Sequence, residues 1–594
     1  MRPTFLPFLL SSLALTPTHA GEGPGRPNVV LVIADDLAWD DCGAFGNSQV
    51  KTPNIDKLAR GGMRFDRAFV TASSCSPSRA SLITGRYPHN TDAEELHWPL
   101  PPKQVTFVEK LKATGYWTAA AGKWHLGNAV KGRFDLVREA NPAGFQLGTG
   151  KDDKARMTAQ GSNDAQSGCD QWVPVLRERP RGRPFFLWLA ALDPHRDYEG
   201  GIIARPHRPE DVVVPPSLPD VPEVRKDLAL YYDEIGRLDQ HVGEVLAELD
   251  RQGEAGNTLI LFLSDNGRPF PRCKTTLYDS GIKTPLIARW PGRVEPGSRS
   301  GSLVSTIDIA PTILKLAGIE PSPTFQGKDL SPLLNDPKTK VRDLIFAERN
   351  WHDYTSHGRA ARSEGYKYIR NDDQDKPLTP PADAVRSPTY VAMRRLRDLG
   401  KLTPSQRSCF VSPRPAEELY DMGADPDETV NLAGDPEHAK VLADMRRAMA
   451  EWTRETEDAM PEKLSPDEFD RETGDPLPNR VRPRPTKPTP TSTGSIVASR
   501  GEPVAQQALA CWIDAAAVHP QATCGRCLAS PGSACYPRNY IVRLVREDPG
   551  SRRRCPRDLR TSEARVPGSE FARVGANQRL RGGSSIGRAQ RSQC

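Results

Sequence analysis

Short apolar runs, bounded by polar or turn residues, recur along the first half of the chain. Each run is continuous and lacks alternating polar positions, which is typical of strands buried on both faces of a sheet. The runs that we interpret as strands are Asn28–Ala34, Tyr116–Ala121, Phe185–Leu192 and Thr258–Leu263. They predict a central sheet whose two faces are both covered.

A long amphipathic segment lies between the last two of these runs. In residues 224–253 (VRKDLALYYDEIGRLDQHVGEVLAELDRQG), apolar side chains recur every three or four positions, with charged residues opposite them. The spacing predicts one long helix. Because strands alternate with helices, the fold class is α/β, with a large, mostly parallel sheet flanked by helices.

The pattern changes after about residue 341. Residues 342–475 contain strand-like pieces (LIFAE, YKYIR and ELYDM) and a helical segment over His438–Glu457, which predict a smaller C-terminal α+β domain. At 594 residues the chain is longer than one hydrophobic core usually supports. We therefore expect a larger domain over residues 21–341, the smaller domain over 342–475 and a tail over 476–594.

Residues 1–20, MRPTFLPFLLSSLALTPTHA, are typical of a secretory signal peptide. Arg2 supplies a positive charge, an apolar run follows, and Ala20 ends a small-residue cleavage site. A membrane anchor would need about 20 consecutive apolar residues, and neither this run nor any later segment is that long. We expect cleavage after Ala20, export to the periplasm or the extracellular space, and no membrane span.

The tail over residues 476–594 differs in composition from the rest of the chain. It opens with a Pro/Thr-rich linker and holds 19 Arg and one Lys against seven acidic residues, so the overall net charge of +6 conceals an acidic body. A single CxxC, Cys524–Cys527, is a weak zinc signal, and arginine runs alone do not indicate a nucleic-acid partner. Its ending, GGSSIGRAQRSQ, resembles spurious translation through transfer-RNA genes. We interpret the tail as disordered read-through without function.

Each predicted strand is followed at once by residues that can carry chemistry. These residues are, in chain order, Asp35, Asp36, Lys123, His125, His195, Asp265 and Asn266. Sites in parallel α/β sheets form beyond the carboxyl ends of the strands. We therefore expect these side chains to meet in one site.

Two of the strand ends supply only oxygen ligands. Asp35, Asp36, Asp265 and Asn266 are the donors that a hard cation, Ca²⁺ or Mg²⁺, prefers, whereas Zn²⁺ favours nitrogen and sulfur. The alternative is a set of ordinary solvated loop carboxylates, which their joint placement disfavours. The residues alone do not choose between calcium and magnesium.

The stretch SSCSPSRASLITGR, residues 73–86, adds a cysteine to the candidate site. In an exported chain the simplest interpretation of Cys75 is a disulfide partner, but the first 475 residues hold five cysteines, and an odd number leaves one over. Residues 81–85 are typical of a helix start, which favours anions, and Arg79 adds a guanidinium suited to a tetrahedral oxyanion. A cation, an arginine and a helix terminus predict a site for a sulfate-like or phosphate-like group.

Cys75-Ser76-Pro77-Ser78-Arg79 followed by ASLITGR resembles the signature of the formylglycine-dependent (type I) sulfatases. The resemblance covers about residues 27–475 and implies an alkaline-phosphatase-like sulfatase fold, with residues 21–341 as the catalytic domain. It implies that a separate maturation enzyme oxidises Cys75 to formylglycine. The metal ligands that it implies, for Ca²⁺ in that family, are Asp35, Asp36, Cys75, Asp265 and Asn266. The sulfate-handling residues that it implies are Arg79, Lys123, His125 and His195.

A narrower likeness concerns SDNGRPFPRCKTTLYDSG, residues 264–281, which is similar to a loop of the N-sulfoglucosamine sulfohydrolases (heparan N-sulfatases). Further likeness lies in LDPHR, in SPTYVAM and in the segment MAEWTRETEDAMPEKLSP. Lys274 falls where those enzymes carry a basic residue that contacts sulfate. His352 and Asp353 match their substrate loop, and an exposed polar turn is the alternative for that pair.

The resemblance also implies the mechanism. A hydrated aldehyde (gem-diol) at Cys75, held against the cation, would attack sulfur, while Arg79, Lys123 and Lys274 would stabilise the charge on the sulfuryl oxygens. We assign protonation of the leaving group to His195. His125 would abstract the second gem-diol proton and so expel sulfate. The sequence leaves open an exchange of these two roles, since geometry decides them.

Two classes of alternative remain open. One keeps the chemistry, as an O-sulfatase acting on a glycosaminoglycan or an aryl sulfate, or as a phosphonate or phosphodiester hydrolase. The other is a secreted protein that binds sulfated glycans without catalysis, which would predict a gap among the catalytic residues. The expected partners are a sulfated saccharide and the maturation enzyme, and no nucleic acid. The oligomeric state stays open, with a dimer among the options.

Overall fold

A computed structural model describes residues 26–140 and 166–478. The predicted signal peptide over residues 1–20 lies outside the described residues, and so does the tail beyond residue 478. The predictions made for those two segments, disorder of the tail included, therefore stay predictions.

Fourteen strands form three sheets within the described residues. They are β1 (Asn28–Ala34), β2 (Met63–Phe65), β3 (Ala68–Phe69), β4 (Trp117–Gly122), β5 (Leu136–Glu139), β6 (Phe185–Ala190), β7 (Thr258–Ser264), β8 (Leu286–Arg289), β9 (Ser298–Ser300), β10 (Val304–Ser305), β11 (Ile345–Arg349), β12 (Gly358–Arg362), β13 (Tyr366–Asn371) and β14 (Glu417–Asp421). The large sheet has the order β5-β4-β6-β1-β7-β8-β2-β9, and β3 pairs with β10. Strands β5, β4, β6, β1 and β7 run parallel, and β8 runs antiparallel to β7.

Both faces of the large sheet are covered, as the continuous apolar runs predict. Along β1 every residue is buried, and successive side chains enter opposite cores because strand side chains alternate in direction. Val29, Leu31 and Ile33 pack into one core. Val30, Val32 and Ala34 pack into the other.

The described residues form twelve α-helices, several of which cover the two faces of the large sheet. They are α1 (Pro53–Arg60), α2 (Cys75–Thr84), α3 (Phe107–Ala113), α4 (Trp172–Glu178), α5 (Pro222–Arg251), α6 (Asp279–Ile282), α7 (Ile309–Leu316), α8 (Ser331–Asn335), α9 (Ala382–Val385), α10 (Pro388–Asp398), α11 (Pro404–Arg407) and α12 (Ala439–Glu455). The predicted long helix is α5, and its Leu228, Leu238 and Val245 enter the same core as Val30. Among the helices of the described ranges, none is long and apolar enough to cross a membrane.

A four-stranded antiparallel sheet, β11-β12-β13-β14, forms the C-terminal layer. Met445, Met449 and Trp452 of α12 pack against it. The predicted strands and helix of this region are confirmed, apart from end residues. Strand β12 was not predicted, because its sequence GRAAR carries two arginines, and both are buried in ion pairs in the folded chain. The domain boundary at residue 341 stays a prediction.

The loop after β7 is anchored to this C-terminal layer. Tyr278 Oη donates a hydrogen bond of 2.9 Å to Glu418 of β14. The backbone N–H of Asp279 donates to Glu428 Oε2 at 2.6 Å. Lys367 of β13 pairs with both Asp279 and Glu428, its Nζ lying 2.7 Å from Glu428 Oε1. The antiparallel sheet therefore holds a loop that begins at a strand end of the large sheet.

Five cysteines lie within the described residues, and all of them are buried free thiols: Cys42, Cys75, Cys169, Cys273 and Cys409. Cys75 therefore forms no disulfide in this structure. The interpretation of Cys75 as a disulfide partner, which the odd cysteine count left open, is not borne out.

Gly122, at the end of β4, provides a test of how closely β4 approaches β6. Gly122 has a φ of +96°, and a Cβ added there would lie 1.8 Å from the carbonyl oxygen of Ala190 on β6. Gly122→Ala should lower the free energy of unfolding by more than ~2 kcal/mol, because backbone strain of roughly 1–2 kcal/mol adds to displacement of β6. Urea unfolding measures this change.

Gly182→Ala is the matched control. Gly182 also has a positive φ, +76°, but nothing lies within 4 Å of an added Cβ. This variant should lower the free energy of unfolding by the backbone strain alone, about 1–2 kcal/mol. Equal losses in the two variants would contradict the close approach of β4 and β6.

Candidate functional site

Three carboxylates and a thiol converge at the carboxyl ends of the strands. Ligand atoms of Asp35, Asp36, Asp265 and Cys75 all lie within 4.8 Å of one another, and all four residues are buried. The convergence follows from the register of the sheet, in which Ala34 of β1 pairs with Ser264 of parallel β7. The residues that follow these two strands must therefore emerge side by side.

The donor set around this cluster fits a hard cation. Asp36 has a φ of +70°, and its Oδ1 accepts a hydrogen bond of 2.6 Å from Nδ2 of Asn266. That bond uses the amide nitrogen of Asn266 and leaves its Oδ1 free of this contact. Within residues 26–140 and 166–478, neither Asn266 Oδ1 nor Asp35 Oδ1 receives a hydrogen bond, although both are buried. Buried acceptors without donors, beside carboxylates, suit oxygen coordination of Ca²⁺ or Mg²⁺.

Helix α2 presents Cys75 at its first position. The helix begins at Cys75 and ends at Thr84, where Gly85 adopts a left-handed φ of +62°, so the expected start at Ser81 is wrong. Every residue of α2 is buried, serines included, so no polar stripe marked its beginning in the sequence. Cys75 Sγ lies 3.9 Å from Asp36 Oδ1.

The thiol of Cys75 is poorly suited to act as a nucleophile itself. Burial raises the pKa of Cys75 well above its usual range, although Lys123 and Lys274 act in the opposite direction. The reactive form of a cysteine is the thiolate. At neutral pH the unmodified residue is therefore an un-ionised thiol.

Arg79 lies one helical turn after Cys75 and reaches back over the cluster. Its Nε donates to Asp265 Oδ2 at 2.8 Å, and one Nη donates to the backbone oxygen of Lys123 at 3.1 Å. Its other Nη lies 2.7 Å from Asp265 Oδ2 and 3.8 Å from Asp35 Oδ1. The guanidinium thus joins the strand ends of β1, β4 and β7.

Two buried lysines complete the positive side of the site. Lys123 donates to Asp35 Oδ2, and Lys274 donates to Asp36 Oδ2 at 2.7 Å. Burial lowers the pKa of both lysines, but the facing carboxylates outweigh it and raise both pKa values. Both side chains are therefore fixed cations beside Cys75.

His125 meets a second histidine. Its Nε2 lies 2.7 Å from Nδ1 of His97, and both residues have left-handed φ values, +53° and +66°. Burial, His97 and Lys123 lower the pKa of His125 well below its usual range. The imidazole is therefore neutral at physiological pH and able to accept a proton.

His195 turns one nitrogen toward the carboxylates. Its Nδ1 donates to the backbone oxygen of Arg196, which leaves Nε2 directed at the site. Nε2 lies 3.8 Å from Asp36 Oδ2 and 3.9 Å from Asp383 Oδ2. The buried Arg196 pairs with Asp227 through two hydrogen bonds of 2.9 and 2.8 Å and so holds this loop.

Of the two predicted substrate residues, His352 lies beside the cluster. His352 Nδ1 is 2.7 Å from Ser74 Oγ, next to Cys75, and burial and Lys274 lower its pKa well below the usual range. Asp353 has a different contact, since its Oδ2 accepts the backbone N–H of Ala382 at 2.9 Å. Burial raises the pKa of Asp353 to about 6.

Two residues of the site were not assigned from the sequence. His97 lies in a segment with no regular pattern, where HW is too weak a match to assign a role, and its contact with His125 places it in the site. Asp383 lies in the short helix α9, without a strand before it or a motif around it. All the sequence-predicted catalytic and metal residues do come together; their roles stay predictions.

Comparison with family models gives two matches. Residues 27–319 match the model described as Sulfatase. Residues 272–376 match the model described as N-sulphoglucosamine sulphohydrolase, C-terminal. The second match begins within the loop that carries Lys274.

Curated relatives extend over most of the described chain. The chain is 32% identical over 492 residues to N-sulphoglucosamine sulphohydrolase of Homo sapiens, covering 74% of this chain and 94% of the relative. It is 30% identical over 456 residues to an ulvan-active sulfatase of Formosa agariphila, covering 72% and 75% of the two chains. It is 31% identical to arylsulfatase A of Homo sapiens, covering 57% and 74%.

Solved structures share the fold. The structure of BT4656 in complex with its substrate D-glucosamine-2-N,6-O-disulfate superposes with a TM-score of 0.55 at 20% identity, covering 73% of this chain and 99% of that chain. BT1596, a 2-O GAG sulfatase, superposes with a TM-score of 0.55 at 22% identity, covering 78% and 98%.

Calcium binding should stabilise the protein through this cluster. Adding Ca²⁺ at about 100 times its Kd to chelator-treated protein should stabilise the fold by ~2.7 kcal/mol and raise Tm by a few degrees. Asp35→Asn removes a ligand charge and should abolish the rise. Asp375→Asn, at an exposed position, is the control and should keep it. An undiminished rise in Asp35→Asn, measured by calorimetry, would contradict this site.

Proposed function

The chain belongs to the sulfatase family, and on that premise we propose that it removes the N-sulfate (sulfamate) of glucosamine from heparan-type oligosaccharides. As a sulfatase it hydrolyses sulfate esters or sulfamates and acts on sulfated glycans. The finer assignment is carried by the loop over residues 264–281. There the match to the N-sulphoglucosamine sulphohydrolase model begins, and there Lys274 enters the site.

The family generally uses formylglycine and a divalent metal. In this chain Cys75 would become the formylglycine, which supplies the nucleophilic oxygen, and Asp35, Asp36, Asp265 and Asn266 would hold the cation, Ca²⁺ in our proposal, which supplies Lewis-acid stabilisation. The open oxygens of Asp35 and Asn266 support this assignment. So does the raised pKa of the Cys75 thiol, which argues against the thiol as nucleophile.

Arg79, Lys123 and Lys274 would bind the sulfuryl oxygens. All three are buried cations that surround the cluster, and their positions are fixed by carboxylates before any substrate arrives. Preorganised charges stabilise a transition state without reorganisation during the reaction. Their task is to balance the negative charge that develops on the transferred group.

The two histidines suit different proton transfers. His125 is held neutral, as a general base must be, and His97 fixes its ring through Nε2. His195 has its Nδ1 proton committed to a backbone carbonyl, so it would act as an imidazolium that delivers a second proton, carried on Nε2, to the leaving group. The geometry supports the assignment of His125 as base and His195 as acid over the exchanged one.

The substrate residues, the localisation and the partners complete the proposal. His352 would contact the sugar beside Cys75, and Asp353 would act by holding α9. The chain would be exported after cleavage at Ala20, with Cys75 oxidised by a formylglycine-generating maturation enzyme.

Oxidation of Cys75 can be measured directly from the mass of the peptide that contains it. After co-expression with a maturation enzyme, mass spectrometry of the Cys75 peptide should show an aldehyde in place of the thiol. Cys75→Ser should release no sulfate while keeping its Tm near that of the wild type. Cys409→Ser, which also replaces a buried thiol, should retain turnover. Turnover like that of the wild type in Cys75→Ser would contradict the proposed nucleophile.

The substrate class is tested with two matched heparan disaccharides, one carrying only an N-sulfate and one only an O-sulfate. Sulfate release from the N-sulfated disaccharide should have a much higher kcat/KM than release from the O-sulfated one, with Cys75→Ala as the blank. Lys274→Ala should reduce that turnover by about 10²-fold, since it removes one charge from the sulfate.

Release only from the O-sulfated disaccharide would replace the N-sulfatase assignment by an O-sulfatase. The ulvan-active sulfatase and arylsulfatase A among the relatives favour that alternative. Binding of both disaccharides without any release would instead indicate a glycan-binding protein without catalysis.

A further inference from the structure

One oxygen of a buried carboxylate beside the site has no hydrogen-bond donor among the described residues. Asp383 of α9 is 3% exposed. Its Oδ1 accepts the backbone N–H of Ala384 at 2.6 Å. Its Oδ2 accepts no hydrogen bond from any described residue, and Nε2 of His195 lies 3.9 Å away. An unpartnered buried oxygen calls for a ligand, because leaving it unsatisfied costs about 1–3 kcal/mol.

The backbone around Asp383 is held by Asp353 and by Gly474, and Asp353 is itself held by the chain at Glu468. Asp353 Oδ2 accepts the N–H of Ala382, and the backbone oxygen of Asp353 accepts the N–H of Glu468 at 2.9 Å. Gly474 packs so closely that an added Cβ would lie 2.8 Å from the carbonyl oxygen of Ala382. Asp383 is therefore placed by the fold, and its open oxygen is a fixed feature.

The positive charges near Asp383 are engaged elsewhere. Lys274 donates to Asp36, and the guanidinium of Arg196 donates to Asp227 and to the backbone oxygen of Pro269. Burial raises the pKa of Asp383, but Lys274, His195 and Arg196 outweigh it, and the net pKa is lowered. Asp383 is thus an anion whose Oδ2 is available beside the proposed acid His195.

The sign of the charge on the leaving group differs between the two substrate classes. A sulfamate reacts as R–NH–SO₃⁻ + H₂O → R–NH₃⁺ + SO₄²⁻. The S–N bond breaks, and the nitrogen keeps the electron pair and takes up protons. An ester reacts as R–O–SO₃⁻ + H₂O → R–OH + HSO₄⁻, and negative charge builds on the leaving oxygen. A fixed carboxylate stabilises the first leaving group and repels the second.

We propose that Asp383 determines specificity for sulfamates over O-sulfate esters by accepting a hydrogen bond from the leaving nitrogen through Oδ2. This inference rests on the proposed N-sulfatase function. The nitrogen, once protonated, lies between His195, which delivered the proton, and Asp383, which binds the resulting ammonium. Asp383 is the specificity-determining residue, and Asp353 is a positioning residue behind it.

The first test compares substrates in one variant. In Asp383→Asn, the ratio of kcat/KM for the N-sulfated disaccharide to kcat/KM for the O-sulfated one should fall about 10- to 100-fold. This range corresponds to a charged hydrogen bond worth roughly 1.5–3 kcal/mol. Asp375→Asn, at an exposed position, should leave the ratio as in the wild type. An unchanged ratio in Asp383→Asn, or an equal loss on both substrates, overturns the inference.

The second test measures binding and needs no turnover. Calorimetric titration of the wild-type protein should show tighter binding of glucosamine, a cation, than of N-acetylglucosamine, its uncharged counterpart. The preference should disappear in Asp383→Asn. Equal binding of the two sugars by the wild type, or a preference that persists in the variant, overturns the role of Asp383.

The two tests separate the inference from the function on which it rests. If the wild type releases no sulfate from the N-sulfated disaccharide, the proposed function fails, whatever the binding experiment shows. If it releases sulfate but the substrate ratio and the amine preference do not depend on Asp383, the function stands and the inference fails.

Discussion

Three carboxylates, Asp35, Asp36 and Asp265, are buried against one another, and the arrangement of the site depends on how their charge is balanced. Buried anions lose hydration and repel each other, so such a cluster persists only with matched positive charge. Arg79 and Lys123 face it from α2 and from the end of β4, and Lys274 comes from the loop after β7. The balance exists only when all these elements have packed together. The same charges that stabilise the fold are then in place for a sulfate group.

Residues of the site are positioned by two parts of the fold, the large sheet and the C-terminal layer. The parallel sheet positions the carboxylate cluster and the groups that we propose bind sulfate, and strand register sets the positions of the strand-end residues. The C-terminal layer anchors the loop of Lys274 through Glu418 and Glu428, and α9, in the same part of the chain, places Asp383 3.9 Å from His195. In the proposed reaction, binding of sulfate and recognition of the leaving group would therefore depend on different parts of the chain, which meet at Lys274.

The elements with long hydrophobic patterns could be predicted from the sequence. Strands β1, β4, β6 and β7 are continuous apolar runs, so they were predicted, and the polar residues behind them located the site. Short strands such as β12 carry too few apolar residues to be recognised, and its arginines are buried only because acidic partners come from distant segments. Helix α2 buries its serines, whereas an amphipathic helix exposes its polar residues. The sequence pattern therefore did not show that α2 begins at Cys75. Asp383 owes its place to tertiary contacts alone, and no spacing in the sequence points to it.

The burial of Cys75 constrains whether the residue can be oxidised before or after the chain folds. In the folded protein the residue is 2% exposed and begins a helix that is buried along its whole length. No second protein can close its own active site around a side chain so enclosed. An enzyme that oxidises Cys75 must therefore reach it while the segment is still extended, before α2 docks. Maturation would then compete in time with folding, and a chain that folds first would keep its thiol for as long as it stays folded.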